Sequence, residues 1–201
     1  MTASALGATP LRHIPLALTA LRALLGPVVI LLAYVHPDPV DFAACLIAAF
    51  LSDVFDGVIA RRLGVATPGI RRLDSIADSV FYVCALFAAW HMHPTIIADH
   101  IVALCLLGAL EVARYGFDLR KFGREASYHM WSSKLWGIAL LAAFISMLVF
   151  GSSGLAVSAA IYIGILADTE GLVISMLLRK WTSDVPSFVH AYRLRLMHAG
   201  A

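Results

Sequence analysis

Long apolar stretches alternate with short polar segments along the whole chain. A helix needs about 20 mostly apolar residues to cross a bilayer, and six stretches meet this requirement. They run over residues 14–35, 40–61, 73–93, 95–118, 131–150 and 154–178. No long polar insertion separates them. We therefore predict an all-α integral membrane protein with six transmembrane helices, organised as one membrane domain over residues 1–201.

The composition and the placement of charge agree with this prediction. Hydrophobic residues make up 61% of the chain and charged residues 14%, whereas soluble domains carry about 25% charged residues. The connections at 34–42, 91–100 and 151–154 contain no Lys or Arg, and Arg22 alone lies well inside a span. Such asymmetry predicts that both termini and the segment 53–78 face the cytoplasm. We expect a multi-pass protein of a bacterial inner membrane.

One segment combines apolar character with many charges. Residues 53–78 contain four aspartates and four arginines. Asp53 and Asp56 are three apart in the second predicted span, and Asp74 and Asp78 are four apart in the third, so each pair shares a helix face. Because the connection between the spans is short, we expect antiparallel neighbours whose acidic faces converge near the cytoplasmic surface.

Four converging carboxylates need positive charge nearby, because like charges and desolvation both disfavour the ionised form. One possibility is an ion-pair network with the arginines of the connection, which are Arg61, Arg62, Arg71 and Arg72. The other is a divalent cation site. Acidic groups inside membranes usually serve a function, and sets of oxygen ligands suit Mg²⁺ or Mn²⁺. We favour two such ions, which would balance the four aspartates.

The spacing of these residues resembles the signature of the CDP-alcohol phosphotransferase family, D-x-x-D-G-x-x-A-R-x8-G-x-x-x-D-x-x-x-D. Seven of its eight fixed positions match, namely Asp53, Asp56, Gly57, Ala60, Arg61, Asp74 and Asp78. Ile70 stands where the pattern has its second glycine, and Gly69 precedes that position by one residue. The stretch IPLALTALRALLGP is similar to the family's first span through Thr19, Arg22 and Pro27, although Leu16 replaces the usual Asn.

The resemblance implies six helices around a polar cavity that opens to the cytoplasm. It also implies a CDP-linked lipid donor such as CDP-diacylglycerol, an acceptor alcohol whose hydroxyl attacks the lipid-side phosphorus, and release of CMP. Asp53, Asp56, Asp74 and Asp78 would hold the metal ions, with Asp78 as the general base. The nucleotide would lie against Gly57, Ala60, Arg61 and Gly69. The family further favours a homodimer among membrane lipids, and no nucleic-acid partner is expected.

Two further cations lie close to the ends of later spans. Arg114 and Lys134 are on the predicted cytoplasmic side, and a cavity that already holds a diphosphate needs no more positive charge for the donor. We therefore assign them to the acceptor and expect a phosphorylated polyol, which Arg would clamp and Lys would attract. An intrahelical pair between Glu111 and Arg114, three residues apart, is the alternative use of Arg114.

Two other functions also use acidic residues in membrane helices. A divalent-cation transporter needs a polar route through both leaflets, but the outer halves of the spans, such as VILLAYV and SVFYVCALFAAW, are almost entirely apolar. A prenyl-diphosphate transferase uses aspartate-rich helices and Mg²⁺, but such enzymes have two well-separated acidic motifs and more spans. Here a single compact motif carries the acidic residues.

Overall fold

The structure, a computed structural model, describes residues 13–65, 67–126, 128 and 130–197. Every regular element in these ranges is a helix. In chain order they are α1 (Ile14–Val35), α2 (Pro39–Arg62), α3 (Pro68–Met92), α4 (Pro94–Asp99), α5 (Ile101–Phe122), α6 (Trp131–Phe144), α7 (Gly154–Leu177) and α8 (Phe188–Met197). A π-helical stretch, Ile145–Val149, continues α6. The all-helical class predicted from the sequence is confirmed.

Five of these helices are long and apolar enough to cross a membrane: α1, α2, α3, α6 with its π-helical continuation, and α7. The predicted fourth span is divided instead. A short helix, α4, precedes α5, which carries Glu111, Arg114 and Asp118. These three charges make α5 too polar to count as a membrane span by composition. Its 22 residues nevertheless extend about 33 Å, which is enough to cross the hydrocarbon layer.

The boundaries of α2 and α3 follow from capping residues. Asp38 precedes α2 and its carboxylate accepts hydrogen bonds from the backbone N–H groups of Val40 and Asp41. Thr67 precedes α3 in the same way, with Oγ1 accepting from the Ile70 N–H at 3.3 Å. A Thr cap followed by proline is a strong start signal. For this reason α3 begins at residue 68, five residues before the predicted span.

The described chain packs as two compact units. The first comprises residues up to Thr95 together with Met147–Gly151. Within it, α1 packs against both α2 and α3, whereas α2 and α3 touch each other only slightly. A Cβ on Gly26 of α1 would lie 3.1 Å from the Cys84 sulfur of α3, so the glycine permits this close approach. The short connection predicted that α2 and α3 are neighbours. Their mutual contact is slight, because both helices pack mainly against α1.

The second unit comprises Ile96–Ser146 and the residues from Ser152 onwards. Its central helix is α7, which packs against α5, α6 and α8. A Cβ on Gly164 of α7 would lie 2.6 Å from Nε1 of Trp136 and 2.9 Å from Cδ1 of Leu107. Only glycine leaves room for both neighbours there.

Candidate functional site

A single buried arginine contacts all four aspartates of the segment 53–78. Arg22 lies in the middle of α1 and is 1% exposed. Its Nη1 donates to Oδ1 of Asp53 and to Oδ1 of Asp78, both at 2.5 Å. Its Nη2 donates to Oδ2 of Asp56 at 2.6 Å and to Oδ1 of Asp74. The convergence of the two acidic helix faces is thus confirmed, and it takes place around a residue of a third helix.

The spacing of the aspartates along their helices places each carboxylate beside Arg22. Asp53 and Asp56 lie on the face of α2 that meets Arg22 of α1, and Asp74 and Asp78 lie on the face of α3 that meets the same side chain. Thr19, one turn before Arg22, adds a hydroxyl whose Oγ1 is 3.0 Å from the Pro15 carbonyl and 3.3 Å from Oδ2 of Asp56. The α1 face that enters the acidic cluster is therefore polar over a full turn.

The cluster is closed on one side and open on the other. The Asp56 side chain is only 5% exposed, whereas those of Asp53, Asp74 and Asp78 are 41%, 32% and 33% exposed. Asp56 thus forms the floor beside Arg22, and the other three carboxylates line an accessible rim. A ligand could reach these three without unfolding a helix.

The donor set fits divalent cations. One carboxylate oxygen from each of Asp53, Asp56 and Asp74 lies within 4.8 Å of the others. Mg²⁺ binds oxygen at about 2.1 Å, so small side-chain rotations would bring these atoms around a shared ion. Four carboxylates against one guanidinium leave a formal charge of −4 + 1 = −3. Asp53, Asp56 and Asp74 each use only one oxygen towards Arg22 and keep a second one for a metal.

The small residues and the arginine of the motif continue the same α2 face. Asp53, Gly57 and Arg61 are four residues apart in succession, so they line one stripe of the helix. A Cβ on Gly57 would lie 3.4 Å from Nη1 of Arg61, which places that guanidinium over the glycine. Ala60 is buried and Arg61 is exposed. The stripe therefore leads from the carboxylates to an accessible cation.

Gly69 lies at the start of α3, where it is exposed. The nearest atom to an added Cβ would be Oγ1 of Thr67 at 4.0 Å, so space remains open on that side. The shift of the glycine from position 70 to position 69 falls within the first helical turn, next to the Thr67 cap. Its contact with a nucleotide remains a prediction.

Arg114 and Lys134 both belong to the second unit. Nη2 of Arg114 donates to Oε1 of Glu111 at 2.8 Å, and its Nε lies 3.1 Å from Oδ1 of the buried Asp168. The intrahelical pair with Glu111, the alternative use of Arg114, is present, and a second carboxylate joins it. Lys134 is exposed in the first turn of α6, with Nζ 4.5 Å from the Trp131 ring centroid. Their role towards an acceptor remains a prediction.

The sequence interpretation did not assign Arg22 and Thr19 to the site. A signal was available, because burying a cation inside a membrane span is costly and usually implies an acidic partner. Glu170, by contrast, has a structural role. Its Oε2 accepts from Ser132 Oγ at 2.5 Å and its Oε1 from the Phe188 N–H at 3.2 Å, so it joins α6, α7 and α8.

Comparison with known proteins agrees with this geometry. The family model for CDP-alcohol phosphatidyltransferase matches residues 12–170. A Pseudomonas fluorescens protein named CDP-diacylglycerol–glycerol-3-phosphate 3-phosphatidyltransferase is 41% identical over 76 residues. That match covers 37% of this chain and 39% of the relative. No solved structure matches the chain. Because the family model covers most of the sequence, including the whole acidic cluster, this protein belongs to the CDP-alcohol phosphatidyltransferase family.

Proposed function

We propose that this protein transfers a phosphatidyl group from a CDP-linked lipid such as CDP-diacylglycerol to an acceptor alcohol and releases CMP, as a step of phospholipid synthesis. The observation that carries the proposal is the convergence of all four motif aspartates on one buried arginine. Family membership supports the same activity. A diphosphate and a cluster of carboxylates are both anionic. Divalent cations held by the carboxylates would therefore be needed to bind the diphosphate there.

Mg²⁺ or Mn²⁺, as two ions, would be held by Asp53, Asp56, Asp74 and Asp78. Bound there, the ions would neutralise the diphosphate and stabilise the charge that develops on departing CMP. The chain contributes the rest of the binding. Arg61, exposed one turn beyond Gly57, would add a fixed cation for the nucleotide phosphates. Gly57, Ala60 and Gly69 would leave room for the nucleotide to approach the backbone.

Asp78 is the proposed general base. Its side chain is one third exposed, one helical turn beyond Asp74, so a hydroxyl can approach it from the open side. Its Oδ1 accepts a hydrogen bond from Arg22. The second oxygen remains to accept the proton of the acceptor hydroxyl as the new phosphoester bond forms.

The acceptor we propose is a phosphorylated polyol, with glycerol 3-phosphate as the first candidate. Support comes from the name of the Pseudomonas fluorescens relative and from Arg114 and Lys134. Two carboxylates already balance the charge of Arg114, so an acceptor phosphate would share this cation with them. Lys134, exposed beside an aromatic ring, has fewer competing contacts and is the more direct phosphate ligand.

We further propose the arrangement of the whole chain. The 22-residue helix α5 would be the sixth span, with its charges turned away from lipid. All six spans would form one domain around a polar cavity open to the cytoplasm. The placement of Lys and Arg supports this orientation, in a bacterial inner membrane and as a homodimer.

The experiment is CMP release from CDP-diacylglycerol by the purified protein with different acceptors. We expect release with glycerol 3-phosphate and much less with serine or inositol alone. Release with serine but not with any phosphorylated polyol would keep the transferase and reject the acceptor assignment. No CMP with any acceptor, together with ion uptake into proteoliposomes, would instead favour a cation transporter. Product formed only from a prenyl diphosphate would favour a prenyl-diphosphate transferase.

A further inference from the structure

The C-terminal helix α8 was not anticipated from the sequence, and one of its faces is covered by no part of the described chain. Phe188, Val189, Tyr192 and Leu196 are each between 45% and 55% exposed. Residues 188, 192 and 196 are four apart, and Val189 is adjacent, so these side chains form a continuous apolar stripe. The opposite side packs inward through the fully buried Ala191.

Arginines border this stripe on both edges. Arg195 follows Phe188 by seven residues, so it lies at nearly the same angle around the helix, just outside the stripe. Arg193 follows Val189 by four residues and borders the other edge. Within the part of the chain that the structure describes, neither arginine forms an ion pair with a carboxylate. Arginines at both edges of an exposed apolar stripe can reach lipid phosphates while the stripe itself contacts the acyl chains.

The position of α8 is fixed at the end of a membrane-spanning helix. Ala191 packs in a core with Ile174 and Leu178, at the last turn of α7, and Leu194 contacts that core. Glu170 of α7 also accepts a hydrogen bond from the first N–H of α8, on Phe188. Since the end of a span marks the edge of the hydrocarbon layer, these contacts hold α8 at the depth of the lipid headgroups.

We propose that α8 is an interfacial helix that binds an anionic bilayer surface. Its apolar stripe enters the boundary between headgroups and acyl chains, while Arg193 and Arg195 contact lipid phosphates. The positive charge of Arg193 and Arg195 favours a lipid surface over a second protein copy as the partner of the stripe. A second copy of α8 would bring two more arginines against these two, whereas an anionic leaflet attracts them. This proposal does not depend on the transferase activity.

The test measures the immersion depth of α8 in the full-length protein. Cys45, Cys84 and Cys105 are replaced by Ala, and a spin label is attached through Leu196→Cys in the stripe or through His190→Cys, an exposed control position on another side of α8. Samples are nanodiscs that hold either one or two protein copies, in phosphatidylglycerol or in phosphatidylcholine. Collision with oxygen reports burial in lipid, and collision with a water-soluble nickel chelate reports exposure to water.

In phosphatidylglycerol we expect the Leu196 label to favour oxygen and the His190 label to favour nickel. Equal nickel access at both positions would overturn the proposal. Shielding of the Leu196 label only in nanodiscs that contain two copies would also overturn it and assign the stripe to a protein contact.

The unmodified chain provides a second measurement that needs no cysteine replacement. Hydrogen exchange of the α8 backbone amides should slow by about fivefold or more in phosphatidylglycerol relative to phosphatidylcholine. The double variant Arg193→Gln, Arg195→Gln should lose this difference while α1–α3 exchange as before. Exchange of α8 that is independent of lipid charge in the unmodified chain would reject the role of the two arginines and with it the proposal.

Discussion

Arg22 and Asp56 form a hydrogen bond within the membrane-spanning part of the chain, with Nη2 to Oδ2 at 2.6 Å and both side chains at most 5% exposed. Neither charge could be buried there alone, because removing one partner of a buried pair costs about 3–5 kcal/mol. Three further carboxylates share the same guanidinium. The stability of the first unit and the affinity of the acidic cluster for cations are therefore linked through one residue.

Replacing Arg22 should make the fold depend on divalent cations. In Arg22→Gln the cluster carries four negative charges and no internal cation, so in chelator we expect destabilisation by about 3–5 kcal/mol. Added Mg²⁺ should raise the melting temperature of this variant more than that of the unmodified protein. Thermal unfolding in detergent, with and without Mg²⁺, measures both effects. Equal melting temperatures in chelator would mean that Arg22 does not balance the aspartates.

Asp78→Asn should separate chemistry from binding. The amide keeps the shape and one oxygen but cannot accept the proton of the acceptor, so CMP release should fall by about 10² or more. Binding of CDP-diacylglycerol should change little, because the other three aspartates remain. The measurement is the rate of CMP release beside a direct lipid-binding assay. A near-normal rate would move the general base to another residue.

Lys134→Ala should raise the KM for the phosphorylated acceptor far more than the KM for the CDP-lipid. Lys134 is exposed and its ammonium contacts only an aromatic ring among the contacts described for it, so the fold should tolerate its loss. Arg114→Ala should show the same kinetic pattern but with lower stability, since it leaves the buried Asp168 without its cation. Arg114→Lys is the matched variant that keeps the charge. If both KM values rise together for Lys134→Ala, the assignment to the acceptor fails.

Gly164→Ala should destabilise the second unit. Its Cβ would lie 2.6 Å from Nε1 of Trp136, and overpacking of this kind costs about 1–3 kcal/mol. Gly108→Ala on α5 is the control, because a Cβ there meets nothing within 4 Å and alanine favours a helix. We expect a lower melting temperature for the first variant and an unchanged or higher one for the second. The reverse order would contradict the close packing of α6 and α7.

The sequence predicted the helical class and the acidic cluster because both depend on local spacing. Apolar stretches of sufficient length identify spans, and separations of three and four residues place Asp53 with Asp56 and Asp74 with Asp78. The role of Arg22 depends on a contact between residues 31 to 56 positions apart. Nothing in local periodicity specifies which helix lies between two others, so the insertion of α1 could not be predicted.

Three other differences have causes that the hydrophobic pattern does not report. The cap formed by Thr67 starts α3 before its apolar residues begin. The predicted fourth span is divided into α4 and α5, and the charges of α5, among them Glu111 and Arg114, neutralise each other in part. Helix α8 is stabilised by contacts with α7 and by Glu170, and its own ten residues are too few to form a stable helix in isolation.

The central claim is that the four aspartates form a divalent-cation site on which phosphatidyl transfer depends. The most direct measurement compares Mn²⁺ binding by electron paramagnetic resonance with CMP release in the same titration. We expect Mn²⁺ binding and CMP release to vanish in excess chelator. Both should return with the same midpoint as Mn²⁺ is added back. Asp56→Asn should weaken both by about tenfold or more, and Asp41→Asn, at the far end of the same helix, should leave both unchanged. Full CMP release in excess chelator, or normal Mn²⁺ affinity in Asp56→Asn, would contradict the claim.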